Sequence, residues 1–501
     1  MNSLIIAILA ITAFLYFFVS PDLLKNRHLA MRAALAVSAA AITFIFMYFW
    51  LYPMTGFNLL LWIAINSMVA LAVNSGISGS RAGQSMAIFL VAAILVCWIA
   101  GITLLSVITA SQLAAAPAVT TVHGPSAVIN SSHIRLVSYE TAQWRSDKVI
   151  GSLGYKSEIG DPDIQTLNGT LVWITPLDFA GPIKAWSYSG EGTGGYVIVN
   201  AEDPKAEAQL ITLPHMIYTR NALFENDVNR RIWEEHPEWM QMETTFQLDD
   251  THQPQFITQL AEPLLFGCIG ERPVGIATVD PVSGDARFYP IGQEPGWVQR
   301  VWSEVTTEEW IGWWGRYQLG WLNSVLEQRD VKKLSGDDVF LVNGNDGNLY
   351  WFGTVSNPGK DSSMVGYMLT NVKTGKFTFH ETPGYYNDYG AQNNVHQNPE
   401  VAKAPELEVV QPIMYVIDGQ EIWIIPVITP SGEQTLVGLV EARTGTTYIG
   451  PTLANVLAQW RGDNAAPGGA MNAGASLSVK EKIAQIRKLL NEIEAETGNT
   501  S

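Results

Sequence analysis

The sequence predicts a membrane-anchored α+β protein: four N-terminal transmembrane helices, then a β-rich extracytoplasmic body of four double-hairpin repeats with intervening helices, and a C-terminal amphipathic or coiled-coil helix. Three observations predict this fold class. Apolar residues concentrate at the front of the 501-residue chain, a hairpin pattern returns in its second half, and a short heptad pattern ends it. The predicted domains are a transmembrane anchor at 1–110, a linker at 111–132, a β-rich domain at 133–461, a Gly/Ala linker at 462–477 and a terminal helix at 478–497.

The anchor is predicted from apolar runs at 4–20, 33–52, 57–73 and 86–108. A bilayer core of about 30 Å needs about 20 helical residues to cross it, and each run comes close to that length. No basic residue precedes the first run, so it does not resemble a cleavable secretory signal. We therefore expect four spans and the lipid bilayer as a partner.

The orientation of the anchor follows from its connections. The first connection holds Lys25, Arg27 and Arg32, the second holds no basic residue, and the third holds Arg81. Positively charged connections stay cytoplasmic. The N-terminus and the chain beyond residue 110 are therefore expected outside the cytoplasm. The runs carry no ionisable residue at bilayer depth, which favours an anchor over a transport path.

The β-rich body is predicted from one recurring pattern. The stretch "GIATVDPVSGDARFYP" begins at Gly275, and similar stretches begin at Gly366 ("GYMLTNVKTGKFTFHE") and Gly438 ("GLVEARTGTTYIGP"). Apolar runs flank a turn whose Gly accepts the positive φ of a tight hairpin. Another hairpin precedes each copy, and most of these carry Asn-Gly or Asp-Gly at the turn. Including a degenerate copy, the double hairpins lie at about 163–213, 245–292, 338–382 and 411–455.

A helix is predicted in the gap "TTEEWIGWWGRYQLGWLNSVLEQ". Thr306 and Glu309 have the spacing of a capping box. The aromatic residues that follow recur every three or four positions, which favours a core-facing stripe over a glycan-binding face. Trp297 and Trp302, before the cap, are expected to be exposed and are the candidate ligand-binding pair, with a glycan as the possible ligand.

The chain ends in a short heptad pattern, with apolar residues at alternating spacings of four and three. These are Val479, Ile483, Ile486, Leu490 and Ile493. Such a seam predicts self-association or docking on a partner. The alternative is a frayed amphipathic tail, because a lone helix of this length is marginal in water.

Composition and motifs exclude several function classes. The formal charge of −17 argues against a nucleic-acid partner. Cys97 and Cys268 are too few for a disulfide framework or a thiolate metal site. HExxH, CxxC, GxSxG and GxxxxGK[ST] motifs are missing from the sequence. We therefore expect no enzyme, and predict no catalytic residue, metal ligand or cofactor.

Two resemblances add to this interpretation. The runs "GTLVWITPLDFAGPIKAWSY", "FQLDDTHQPQFITQLAEPLLFG" and "PGWVQRVWSEVTTEEWIGWWGRYQLGWLNS" resemble a group of large bacterial multi-pass membrane proteins with a β-rich extracytoplasmic region and no assigned function. The resemblance covers most of 130–450 and implies location and layout, without a catalytic residue. The "VDPVSG" hairpin is also similar to PepSY-type modules, small β-rich units associated with envelope peptidases, but no peptidase signature accompanies it.

The expected function is a non-enzymatic, membrane-anchored extracytoplasmic scaffold that binds a protein partner and oligomerises. A glycan or cell-wall binding module is one alternative. A PepSY-like regulator of an envelope protease, or an enzyme without a recognisable motif, is the other. Carboxylates that converge in a cleft would favour the enzyme.

Overall fold

The computed structural model of the chain describes residues 2–18, 29–78, 81–126, 128–151, 156–336, 338–359 and 362–462. The residues predicted to mediate self-association, Val479, Ile483, Ile486, Leu490 and Ile493, lie outside the described residues, as does the Gly/Ala linker from 463 onwards.

Apolar helices occupy the N-terminal part of the chain: α1 Ser3–Phe18, α2 Leu29–Trp50, α3 Gly56–Ser78 and α4 Arg81–Ala115. The prediction of four membrane spans is wrong. Among the described residues, two helices are long and apolar enough to cross a membrane, Leu29–Trp50 and the Gly56–Ser75 part of α3. Two apolar helices near the N-terminus are typical of membrane anchoring or of a signal sequence.

The miscount has a physical reason at the start of the anchor, where α1 is short. With 16 residues and a rise of 1.5 Å per residue, α1 reaches about 24 Å, which is shorter than a bilayer core of about 30 Å. The last turns of α4 belong to the body, because Leu113 is buried in the same core as Trp310 and Trp313. Run length alone does not distinguish a span from a helix that packs against protein.

The β-rich body is confirmed, and its strands form four antiparallel sheets within the described part of the chain. The first sheet contains β2 Ser157–Ile159, β3 Asp163–Leu167, β4 Thr170–Phe179, β5 Gly194–Asn200 and β6 Gln209–Leu213. The second contains β7 Met240–Leu248, β8 Pro254–Leu265, β9 Ile269–Val279 and β10 Ala286–Pro290. The third contains β11 Lys333–Leu334, β12 Phe340–Asn343, β13 Leu349–Ser356, β14 Ser363–Asn371 and β15 Phe377–Tyr386, with β1 Thr120–His123 added parallel to β15.

The fourth sheet contains β16 Glu408–Val409, β17 Ile413–Ile417, β18 Gln420–Ile428, β19 Gln434–Glu441 and β20 Thr447–Gly450. The long strands of each sheet pair in the order of the sequence, as successive hairpins do, and short strands are added at the edges. Each predicted double-hairpin segment contains strands of one sheet. Whether the four sheets are copies of one unit stays a prediction.

The recurring glycine turns share one geometry. Gly284, Gly375 and Gly445 have φ angles of 72°, 67° and 72°. The amide of each donates to the carbonyl oxygen four residues earlier, at 2.8–2.9 Å. A Cβ on any of these glycines would overlap an aromatic ring, respectively that of Tyr218, Trp302 and Tyr386. Glycine is therefore required both for the positive φ and for the ring above the turn.

Helices fill the gaps between strands: α5 Tyr139–Ile150, α6 Pro182–Ser187, α7 Val228–Glu235, α8 Glu304–Tyr317, α9 Gly320–Val325, α10 Asp388–His396, α11 Pro399–Ala402 and α12 Leu453–Arg461. The predicted capping box at Thr306 is wrong, because the cap of α8 is Ser303, whose side chain accepts from the Thr306 amide at 3.2 Å. The Thr306 hydroxyl donates instead to Gln259 Oε1 at 2.8 Å, a tertiary contact.

Hydrophobic cores join neighbouring sheets. Trp173, Ile257 and Trp351, from the first three sheets, belong to one buried cluster. Phe352 of the third sheet and Trp423 of the fourth pack edge to face, with ring centroids 6.0 Å apart. The sheets therefore follow one another around a common centre.

The segment before α5 closes this ring between the fourth sheet and the first. The Arg135 amide donates to Tyr415 Oη at 3.0 Å, and the Leu136 amide donates to the Ala201 carbonyl at 2.9 Å. Tyr415 lies on β17 and Ala201 directly follows β5. The four sheets thus surround a centre in the manner of the blades of a β-propeller.

The body contacts one end of the apolar helices. Trp233 Nε1 in α7 donates to the Tyr52 carbonyl at 2.9 Å, and the Met54 amide donates to the Pro237 carbonyl at 2.6 Å. Ile5 of α1 is buried in the same small core as Trp233. The start of α1 and the connection between α2 and α3 therefore lie on the side of the body.

Candidate functional site

A cavity of about 400 Å³ lies where the four sheets meet, and is called the central cavity below. The innermost strand of every sheet is interrupted beside it. Strands β2 and β3 both pair with β4, β11 and β12 both pair with β13, and β16 and β17 both pair with β18. In the second sheet, β7 carries a β-bulge between Gln241 and Thr244.

These interruptions supply polar side chains to the central cavity, one from each sheet. The residues are Asp161, Glu243, Asp338 and Gln411. Within a regular strand, side chains alternate strictly between the two faces of a sheet. A break or bulge releases a residue from that alternation and re-aims its side chain. The strand breaks therefore convert the centre of the ring into a polar site.

Arg300 connects three of the sheets at the cavity wall. Its side chain is 7% exposed, and its Nη1 lies 3.6 Å from Asp163 Oδ1 on β3. Its Nη2 forms an ion pair with Glu243 on β7, and its guanidinium lies 5.1 Å from the ring centroid of Trp351 on β13. Burial alone would lower the pKa of Arg300, but Glu243 and Asp163 raise it above its usual value.

Arg135 places a second buried cation in the same wall. Its guanidinium donates to the Leu341 carbonyl at 3.3 Å and to Gln411 Oε1 at 3.2 Å. It lies 5.6 Å from the ring centroid of Trp173 and 5.7 Å from that of Phe340. Burial lowers the pKa of Arg135 to about 10, so it stays charged at neutral pH. The Leu341 carbonyl and Gln411 Oε1 are neutral acceptors, so an anionic ligand group would add a charge-assisted hydrogen bond to Arg135.

Arg220 is the third arginine of the wall. Its Nη1 lies 3.1 Å from Asp161 Oδ2 and donates to the Thr244 carbonyl at 3.3 Å. Within the described part of the chain, its buried Nη2 and the buried Nε of Arg300 have no hydrogen-bond acceptor. A buried N–H without an acceptor is costly, and these two atoms have no surface open to the cavity, which the arginines line with their other atoms.

Several carboxyl groups in and beside the cavity change charge near neutral pH. Burial raises the pKa of Asp163 to about 6, although Arg300 opposes the rise. Burial and the neighbouring Glu243 raise the pKa of Glu304 to about 7. Burial and Glu304 raise the pKa of Glu308, whose Oε1 accepts from the Val339 amide, to about 8. Strongly shifted acids in a cleft are typical of functional sites.

The tryptophans predicted to bind ligand do not line the central cavity. Trp302 is 6% exposed and packs edge to face against Trp310 and Phe377. The expectation that it is exposed is wrong, because the turn at Gly375 covers its ring. Trp297 is half-buried against the same core.

The cavity residues were missed, although the sequence holds a signal for them. A polar residue stands just before the first strand of several double hairpins, as in "GDPDI", "GDDVF" and "VVQPI". Pro162 and Pro412 follow Asp161 and Gln411, and a proline cannot donate to a strand ladder. Among the described residues, no group of three or more His, Cys, Asp or Glu side chains is arranged to hold a metal ion.

No protein-family model and no curated protein matches the chain. Similar solved structures include an endo-1,4-β-xylanase from Bacteroides thetaiotaomicron, with 12% identity, 59% of this chain and 76% of that chain covered, and a TM-score of 0.18. An α-L-arabinanase from Cellvibrio cellulosa has 8% identity, 64% and 82% coverage and a TM-score of 0.17. A β-xylosidase/α-arabinofuranosidase from a compost metagenome has 12% identity, 59% and 86% coverage and a TM-score of 0.20. Similarity this weak carries no argument about the fold or activity of this chain.

Proposed function

We propose that the protein is a membrane-anchored binding protein whose central cavity holds a small polar ligand. The observation that carries this proposal is the convergence of strand breaks from all four sheets on one cavity lined by Arg135, Arg220 and Arg300 together with carboxylates. Its volume of about 400 Å³ is within the range of ligand pockets, roughly 300–1,000 Å³. Charges of both signs suit a ligand that carries donors and acceptors together.

The extracytoplasmic location of the body is part of this proposal. In the sequence Lys25 and Arg27 precede α2, and Arg32 lies in its first turn; such basic clusters stay cytoplasmic. The body contacts Tyr52 and Met54, at the other end of α2, and α4 returns the chain to that end, because its last turns are buried in the body. Protease added to intact cells should therefore cleave the body. A body that is cleaved only after lysis would contradict the location.

Ligand binding is tested by calorimetry on the detergent-extracted full chain with a panel of zwitterionic, anionic and polyhydroxylated small molecules. We expect at least one class to bind, and Arg135→Met to weaken that binding tenfold or more, because a charge-assisted hydrogen bond is lost. Arg329→Met is the matched control, since Arg329 is 69% exposed and pairs with Glu327. Equal weakening by both substitutions would contradict a site in the central cavity.

The carboxyl groups favour acid–base catalysis as a second candidate function. Asp163 and Glu304, with pKa values raised to about 6 and about 7, line one cavity. A group with a pKa near the working pH can both accept and donate a proton. Turnover of a bound ligand that Glu304→Gln abolishes, with binding retained, would establish catalysis. Binding of the ligand without turnover would show a binding protein and would exclude catalysis of that ligand.

A further inference from the structure

A second cavity, of about 500 Å³, lies between the body and the end of α2, and is called the side cavity below. Trp50, Leu51 and Pro53 line it from the helix end. Met240 and Met242 line it from β7. Polar residues, among them Asn229 and Gln241, complete its walls, so the side cavity has both an apolar and a polar part.

The two cavities meet at the β-bulge of the second sheet. Arg220, Glu243 and Thr244 line both of them. Met242, next to Glu243 in the bulge, lines the side cavity alone. The bulge therefore directs neighbouring side chains to the central cavity and to the side cavity, as bulges do at binding sites.

The side cavity lies at the end of a candidate membrane span. Helix α2 ends at Trp50, a residue type enriched where a membrane meets water. The body is held there by Arg230, whose Nε donates to the Tyr48 carbonyl at 3.2 Å and whose guanidinium lies 4.3 Å from the Tyr48 ring centroid. A molecule in the side cavity is therefore next to the hydrocarbon–water boundary.

We propose that the ligand is a membrane phospholipid with a zwitterionic headgroup. The headgroup occupies the central cavity, and the glycerol and acyl part passes through the side cavity towards the bilayer. The proposal rests on the proposed function, because it identifies the ligand of the same central cavity.

The charges of the central cavity match such a headgroup. The arginines that line the central cavity, Arg135, Arg220 and Arg300, suit a phosphate, which arginine binds well. Carboxylates from the strand breaks, Asp161 and Glu243, suit an ammonium group. The apolar methionines of the side cavity suit an acyl chain, because an unbranched thioether adapts to an irregular apolar partner.

The test uses the full chain in phosphatidylglycerol nanodiscs, titrated with dihexanoyl phosphatidylethanolamine as the lipid. Glycerophosphoethanolamine serves as the free headgroup and dihexanoyl phosphatidylglycerol as the lipid without an amine. We expect the zwitterionic lipid to bind at least tenfold more tightly than either. Arg220→Met should weaken the binding of the zwitterionic lipid and of the free headgroup by the same factor. Arg329→Met should leave the binding of both unchanged.

Met242→Trp separates the lipid proposal from the proposed function, because it fills the side cavity without changing a charge. We expect it to reduce lipid binding to the level of the free headgroup and to leave headgroup binding unchanged. Leu51→Trp fills the same cavity from the opposite wall and serves if the first variant misfolds.

Three results would overturn the proposal. Equal affinities for the zwitterionic lipid and for its free headgroup would show that the acyl chains do not contribute to binding. The ligand would then be a soluble molecule, and the proposed function would still hold. Equal binding of the two lipids removes the requirement for an amine. Binding of neither the zwitterionic lipid nor its free headgroup excludes this ligand class, while the small-molecule panel separately decides whether the central cavity binds anything.

Discussion

Arg300→Met removes the cation that joins Asp163, Glu243 and Trp351 at the wall of the central cavity. Methionine keeps most of the side-chain volume, so the change is chiefly one of charge. Two carboxyl groups then lack their counter-ion in a place where Asp163 is almost fully buried. The free energy of unfolding should fall, and the fall should depend on pH.

The size of the effect follows from the burial of the pair. Breaking a buried ion pair costs about 3–5 kcal/mol when the remaining charge cannot reach water. The pKa of Asp163 is already raised from 3.8 to about 6 by burial, with Arg300 opposing the rise. Because its folded pKa exceeds its unfolded pKa, Asp163 lowers the stability as the pH rises from 3.8 to about 6, and the loss is complete above that range. Without Arg300 this cost grows, so the deficit should approach 3–5 kcal/mol at about pH 8 and shrink below about pH 6.

The assay is denaturant unfolding of the detergent-extracted protein at these two pH values. Arg329→Met is the control, and as an exposed substitution it should stay within about 0.5 kcal/mol of the wild type. Adding Asp163→Asn and Glu243→Gln to the Arg300 variant should recover part of the loss at the higher pH. A deficit that is the same at both pH values, or no larger than that of the control, would refute the buried charge network.

Three further predictions concern the turns, the acids and the tail. Gly375→Ala should lower the free energy of unfolding by about 1–3 kcal/mol more than Gly347→Ala does. Both glycines have a positive φ, but only a Cβ at position 375 would overlap the Trp302 ring. Equal free energies of unfolding for the two variants would contradict this. Burial raises the pKa of Glu304 from 4.5 to about 7, so its ionisation should cost about 3 kcal/mol as the pH rises from 4.5 to about 7, and Glu304→Gln should flatten unfolding stability over that range. If the terminal helix mediates self-association, Ile486→Asp should reduce the mass of the detergent-extracted protein to that of a monomer. An unchanged mass would contradict self-association through this helix.

Local chemistry made the hairpins predictable. Asn168-Gly169 and Asp418-Gly419 have positive φ at both residues, as their sequences indicate. The pattern therefore predicted a β-rich body. The start of α8 was misplaced by one turn because the Thr306 hydroxyl bonds to Gln259, a distant residue in the sequence. Tertiary contacts of this kind leave no signal in local spacing.

The central cavity was out of reach of the same reasoning. Asp161, Glu243, Asp338 and Gln411 are far apart in the sequence and meet only because the sheets form a ring. The ring is closed at Arg135, whose amide donates to Tyr415 Oη, 280 positions later in the chain. Periodicity reports which face of an element is buried, but it does not report which elements become neighbours.

The most direct test of a ligand site at the centre of the ring is an experimental density map of the full chain purified from its own membrane. The account predicts density for a non-protein molecule in the central cavity, with an acceptor atom within hydrogen-bond distance of the Arg220 guanidinium. A cavity filled by protein side chains, with no density for a non-protein molecule, would contradict it.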